Sequence, residues 1–407
     1  MAGVMQGIRV VEVASWTYVP VTGAVLAEWG ADVIKIEHPE TGDPQRGLAA
    51  MGMIPVGPGG VAHMMELANR GKRSIGLDMG TEEGRDILLD LCRTADVFLT
   101  NFRPQARRKL RIDVEDVRAV NPKIIYVRGS GNGQRGPEAE RGGYDGCTFW
   151  GRGGPADIIS DPDDGSYPIS QPGPAFGDVI GGLTIAGGIS AALFHRERTG
   201  EPVVVDNSLL ATSMWATGAS SLAAGLFGIE RMPKGDRRKV PNPIVNLYRT
   251  SDGRFLSLVM LESDRYWADL VGLLGHPELA DDPRFVDSSA RRENSEACVT
   301  ALDEIFAERS FAEWKDVLMD AKGVWAPVQR PSELLEDPQA LANGYIREVE
   351  AKSGTVFRIV ASPLQFDETP PELIRGPEHG EHTDELLGEL GMDMDKIMDL
   401  KIKGVVL

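Results

Sequence analysis

Cysteine is scarce in this chain of 407 residues. There are three, Cys92, Cys147 and Cys298, odd in number and far apart. A disulfide framework is thereby excluded as the source of stability, and a reducing, cytoplasmic setting is expected. Positive charge is also short, with 43 Lys and Arg against 61 Asp and Glu and a net charge of −18. Nucleic acid and anionic membranes need clustered cations, so neither is an expected partner. The first eight residues lack the basic-then-apolar pattern of a secretory signal. One charge-free run of 23 residues, Asn207 to Ile229, is long enough to cross a bilayer. Its four serines, two threonines and three glycines suit a helix buried inside the protein better.

Glycine and proline are plentiful, 47 and 26 residues, which points to many tight turns. At this length two or three domains are expected, with ample core. Residues 8–13 and 32–37 read as β-branched strands flanking a helix over about 20–30. That βαβ pattern recurs through strands at 74–77, 96–99 and 124–127 and a capped helix at 81–93, so the class is α/β with a parallel sheet. Residues 129–182 lack periodicity, and loops that long are usually functional. Helices are expected over about 178–197 and 205–225. A hairpin over 248–260, closed by Ser251-Asp252-Gly253, opens a smaller domain at about 230–330. The boundaries are therefore 1–229, 230–330, and a segment 331–407 returning to the first domain.

Gly131, Gly133 and Gly136 match a dinucleotide-binding spacing, but no helical pattern follows to face a pyrophosphate. His379 and His382 flank a glutamate, yet they precede a helix start at Thr383, so capping is expected there and no metal site. In so acidic a chain, Arg103, Arg107, Arg108, Lys109 and Arg111 are a solvated helix face or a site for a polyphosphate. Arg231, Lys234, Arg237, Arg238 and Lys239 read as a solvated inter-domain loop, with contact to a phosphate as the alternative. Asp178 lies between Gly177 and Gly181-Gly182 where a loop enters an apolar helix. It either caps that helix or serves as a reactive carboxylate, kept ionised by the helix N-terminus.

Several segments together resemble the class III CoA-transferase family, which also contains α-methylacyl-CoA racemases. They are Gly30–Glu37 with Gly42-Asp43, Asn69–Asp78, Ala95–Val97 with Asn101–Pro104, the Gly177-Asp178 loop, Arg196–Gly200 and Gly380–Thr383, spread in order over residues 8–387. The resemblance implies a large doubly wound, Rossmann-like domain, a smaller α+β domain, and a homodimer of interlocked rings. It implies that Asp178 is a nucleophile and that CoA, as acyl-CoA, is a substrate with an organic acid as co-substrate. No tightly bound cofactor and no metal is expected. Thr17, Tyr18, His38, Leu77, Asp78, Met79, Gly80, Asn101, Phe102, Arg103 and Lys109 would contact CoA, with Gly143, Tyr144 and Asp145 near the thioester. Racemases place histidine where this chain has Tyr144, and a phenol with a pKa of about 10 is a poor base at pH 7. No glycine-only loop occurs between 225 and 265, which argues against a formyl or oxalyl substrate. Trp16, Tyr18, Phe149 and Trp150 suit a larger apolar acid. Two rivals remain: an acyl-CoA epimerase using Asp178 and Asp145 as acid and base, and a CoA-binding protein without turnover.

Overall fold

A computed structural model describes residues 3–160, 165–233 and 235–407; Lys234 of the second basic run lies outside them. The chain divides into two compact units, one of residues 1–232 with 338–407 and the other of residues 233–337.

In the first unit, strands β1 (Arg9–Val13), β2 (Asp32–Glu37), β3 (Arg73–Gly76), β4 (Val97–Thr100), β5 (Ile125–Ser130) and β6 (Val204–Ser208) form one parallel sheet in the order β3-β2-β1-β4-β5-β6. Successive side chains point to opposite faces, and both faces are apolar, as a sheet covered on both sides requires. Val10, Val33, Val97, Leu99 and Val127 join a core completed by helices Tyr18–Glu28 and Phe176–Thr199. Val11, Val13, Ile34, Phe98 and Tyr126 join the opposite core, closed by helices Glu82–Arg93, Thr383–Glu389 and Met394–Ile402. The sheet is thus doubly wound, as expected. Its order reverses between β1 and β4, and the loops leaving the carboxyl ends of strands at such a point open a crevice.

Three expectations need correction. Residues 204–208 are not helical: Val204 and Val205 extend the sheet by pairing with Tyr126 and Val127. The charge-free run is not one buried helix. It breaks at Thr217 into helices Leu209–Ala216 and Gly218–Phe227, and it leaves Trp215 89% exposed, with Leu222, Leu226 and Phe227 also exposed. The stretch 129–182 is not wholly irregular. Asp145–Arg152 winds as a wide helix in which Gly153 N–H reaches back five residues to Thr148, and Pro155–Ile159 adds a short helix. The long apolar helix is instead Phe176–Thr199, and among the described residues it alone has the length and apolarity to cross a bilayer.

The second unit carries the hairpin β7 (Val245–Arg249) and β8 (Phe255–Val259), joined by a turn in which Gly253 takes φ 77°. Strand β9 (Trp325–Pro327) extends it. Helices Ser295–Phe306 and Phe311–Leu318 cover it, the latter opened by a reciprocal Ser310–Glu313 cap. Trp314, Phe306 and Tyr248 fill the core between them.

Candidate active site

Loops after β1, β4 and β5 line a cavity of about 640 Å³ that reaches Asp178 at the start of the long helix. Each loop is fixed by side chains rather than by regular backbone pairing. Asn101, one residue beyond β4, accepts the Ser15 N–H at 3.1 Å and donates to the Ser15 carbonyl at 2.7 Å. Trp16 donates its N–H to Asp43 Oδ1 at 3.1 Å, and the Thr17 hydroxyl donates to Gln45 at 2.7 Å. Trp16 sits at φ 69°, a region that an aromatic residue seldom adopts. Its ring meets Tyr144 edge to face at 5.7 Å.

Glycines make the crowding around the carboxylate possible. A Cβ on Gly177 would collide with the Phe149 ring and the Asp145 carboxylate. Gly181 and Gly129 lie against the Tyr18 ring, where a Cβ on Gly181 would collide with the ring and one on Gly129 with Val19 beside it. Gly131 and Gly143 touch backbone to backbone.

Asp178 is in the first turn of its helix, half-buried, and forms no hydrogen bond or ion pair among the described residues. Asp145 is buried, and its Oδ1 accepts the Gly177 N–H at 3.0 Å. Burial and the neighbouring Asp145 charge push Asp178 up to about 7. Burial likewise raises Asp145, against the pull of the Gly177 N–H. The ordinary ionised carboxylate expected at a helix N-terminus is therefore not what this site makes. Desolvation and a like charge outweigh the dipole. Tyr18 is buried, and burial and the charge of Asp178 raise its phenol against an opposing pull from Thr212, so it stays neutral.

Of the residues singled out in the sequence, the cavity wall unites Trp16, Tyr18, Asn101, Phe102, Arg103, Arg107, Gly131, Gly143, Tyr144 and Asp178. Thr17 and Asp145 lie behind that wall, bonded to Gln45 and Gly177. His38, Leu77, Asp78, Met79, Gly80 and Lys109 do not line it. Leu77 is fully buried beside Val406, Met79 packs on the same core, and Asp78 accepts the Gly80 N–H. His38 and Lys109 are exposed, the carbonyl of His38 meeting His379 Nε2 at 2.9 Å.

The basic cluster splits by role. Arg107 is buried and holds the Phe102 carbonyl, Asp113 and Gln134, and Arg108 pairs with Glu140 at 2.6 Å. Arg103 and Lys109 have no ion pair among the described residues, and only Arg103 faces the cavity. Thr383 opens its helix but does not cap it. Its hydroxyl accepts the Gly76 N–H and donates to the Gly380 carbonyl, while His382 accepts the Ser74 N–H, tying the C-terminal segment to β3. Gly133 and Gly136 adopt positive φ in a turn with no helix behind it.

The sequence reading did not single out Arg141, Gln134, Gly129 or Leu209 as lining residues. Gly129 carried a usable signal, since a glycine ending a strand marks a close approach. Arg141 carried none beyond its charge.

The model of CoA-transferase family III matches residues 5–383. The (R)-2-hydroxy-4-methylpentanoate CoA-transferase of Clostridioides difficile is 30% identical over 99% of both chains. The succinate–glutarate CoA-transferase of Agrobacterium fabrum is 34% identical over 95% of both. A crystal structure of a CAIB/BAIF family protein from Brucella suis superposes with a TM-score of 0.81 at 31% identity, covering 96% of this chain and all of that one.

Proposed function

The chain belongs to CoA-transferase family III, whose members move CoA between acyl thioesters and carboxylic acids, and from that premise we propose that Asp178 carries the CoA through a covalent intermediate. The observation that supports this reading is a carboxylate, unpaired among the described residues, on the wall of a cavity where glycines let backbone and ligand approach. Asp178 attacks the donor thioester carbonyl, forming an aspartyl anhydride and CoA thiolate. The thiolate attacks the aspartyl carbonyl, giving an aspartyl-CoA thioester and releasing the donor's acid. An acceptor carboxylate attacks that thioester, expelling the thiolate and forming a second anhydride. The thiolate then takes the acceptor's acyl group and restores Asp178. Every step exchanges one activated acyl for another, so no other energy source is consumed. The Gly142 and Gly143 amides, without partners among the described residues, are suited to receive the oxyanions.

Arg103 is the cation on this wall best placed for CoA phosphates, being exposed and without an ion pair among the described residues. Arg103→Glu is expected to weaken CoA binding by roughly tenfold, a loss of about one charge-assisted contact, in isothermal titration. Lys109→Glu should change it far less; equal effects would mean that the phosphates lie along the exposed helix. We also propose the interlocked homodimer. The exposed Trp215, Leu226 and Phe227 favour a surface covered by a second chain. A stable folded monomer at low micromolar concentration in ultracentrifugation would exclude it. The three unpaired cysteines suit the cytoplasm.

The decisive experiment is intact-protein mass spectrometry after mixing with a panel of acyl-CoAs, then hydroxylamine. A hydroxylamine-sensitive adduct of CoA or acyl mass is expected on the peptide bearing Asp178 and is expected to be absent in Asp178→Ala. CoA binding without any adduct would favour the epimerase, which exchanges Cα hydrogen with D₂O, or the silent binder, which does not.

A further inference from the structure

Two features of the cavity bear on which acids it accepts, given the transfer reaction proposed above. The first is an aromatic wall held in place at structural cost. Trp16 keeps a left-handed backbone, and such conformations persist only where the surroundings over-determine them. Here they do, because Ser15 is clamped at both backbone groups by Asn101 and the Trp16 N–H is held by Asp43. Asp43 is itself fixed by the buried Lys35 ammonium at 2.8 Å. The constrained indole meets Tyr144, which is 63% exposed, and both rings face the cavity that reaches Asp178.

The second feature is charge. Asp178 and Asp145 form no salt bridge among the described residues, and the charge acting on Asp178 is the like charge of Asp145. Of the cations on this wall, Arg107 is engaged by the Phe102 carbonyl, Asp113 and Gln134, Arg141 pairs with Glu138, and Arg103 is the one proposed above to hold CoA phosphates. A substrate with a second carboxylate near its reacting end would bring another anion to an uncompensated acidic pair in a half-desolvated site. A flat or branched apolar acyl group would cover the two rings instead.

We infer that Trp16, with Tyr144, is the acyl-selecting wall of this enzyme, and that it selects monocarboxylic acids with an aromatic or branched apolar chain over dicarboxylic ones. Isotope exchange between an acyl-CoA and its own labelled acid tests this without knowledge of the natural pair. The probes are 3-phenylpropanoyl-CoA with labelled 3-phenylpropanoate, and succinyl-CoA with labelled succinate. In the wild type the first pair is expected to exchange at least about tenfold faster in kcat/KM. Trp16→Gly accepts the positive φ without strain, so it should melt no lower while bringing the two pairs to within about threefold, chiefly by weakening the apparent affinity for the phenyl-bearing acid. Trp16→Asn, another residue tolerant of that backbone, gives the same readout if the glycine loosens the loop. A wild-type preference for succinate, or a ratio unmoved in both variants, overturns the inference. Exchange of neither pair overturns it too, and the Asp178 adduct across the acyl-CoA panel then decides separately whether the transfer reading stands.

Discussion

Asp178→Asn is expected to lower transfer by roughly 10³-fold or more and, at pH 8, to make the protein more stable. Both effects follow from one environment. Burial and the Asp145 charge raise the Asp178 pKa from about 3.9 in the unfolded chain to about 7 in the folded one. The native state therefore binds the extra proton between about pH 4 and pH 7, and wild-type stability falls as pH rises through that window. Above pH 7 the ionised carboxylate costs on the order of 2–4 kcal/mol, which the neutral amide avoids. Calorimetric melting at pH 8 should thus favour the variant, and the gap should close towards pH 4. A carboxylate that merely capped its helix would give the opposite sign, a variant less stable at every pH where the acid is ionised. In the proposed reaction the same shift sets the rate profile, because only the ionised carboxylate attacks. Wild-type kcat/KM should climb about tenfold per pH unit below 7 and level off above it. Asp145→Asn removes the like charge and should move that midpoint downward. A flat profile from pH 5 to pH 8 would show that the nucleophile is not held near neutrality.

The strands of the sheet were legible because a sheet buried on both faces leaves unbroken β-branched runs, as in Val10-Val11 and Val33-Ile34. The close packing around the glycine-flanked carboxylate was legible as well. Gly177, Gly181 and Gly182 admit Phe149, Tyr18 and Val21 so closely that no side chain fits, and that demand is written in residue type. What escaped was set by tertiary contact. The run 204–208 continues into a helix and looks helical itself; only the open edge of β5 makes it a strand. Arg107 is indistinguishable by charge from Arg103, and both line the cavity, yet one is buried and holds the Phe102 carbonyl and Asp113 while the other is exposed with no ion pair among the described residues. The left-handed backbone of Trp16 has no signature at all, since tryptophan is among the last residues one would place there. Asp178's raised pKa likewise depends on Asp145, 33 positions away in sequence (178 minus 145) and brought near by the Gly177 N–H.

Beneath the Trp16 loop lies the second site where a single change should have a large effect. Lys35 is wholly buried on β2, with Asp43 at 2.8 Å, the Ala14 carbonyl at 2.9 Å and Glu12 at 3.4 Å. Glu12 is shared with Lys72 at 2.7 Å, and Glu37 is shared with Arg46 at 2.8 Å. Burial alone would lower Lys35, but Asp43, Glu12 and Glu37 outweigh it and hold the ammonium charged. Glu37 is brought down to about 2 against its own burial, by Arg46, Lys35 and Ser74. Lys72 is the group that yields: burial, with Lys35 adding to it, takes it down to about 7 even though Glu12 opposes the shift. Lys35→Met leaves three buried carboxylates facing two cations, and removing one partner from such a set costs about 3–5 kcal/mol. A fall in Tm of roughly 5 °C is expected at pH 7. The loss of Lys35 should also raise the Lys72 pKa, because a like charge has gone. Pairing the change with Asp43→Asn removes the stranded anion while keeping an oxygen for the Trp16 N–H, so the double variant should recover most of the lost stability. If Lys35→Met melts with the wild type, the cluster does not hold this loop. If the double variant is the less stable of the two, the loss came from packing around the lysine stem and not from its charge.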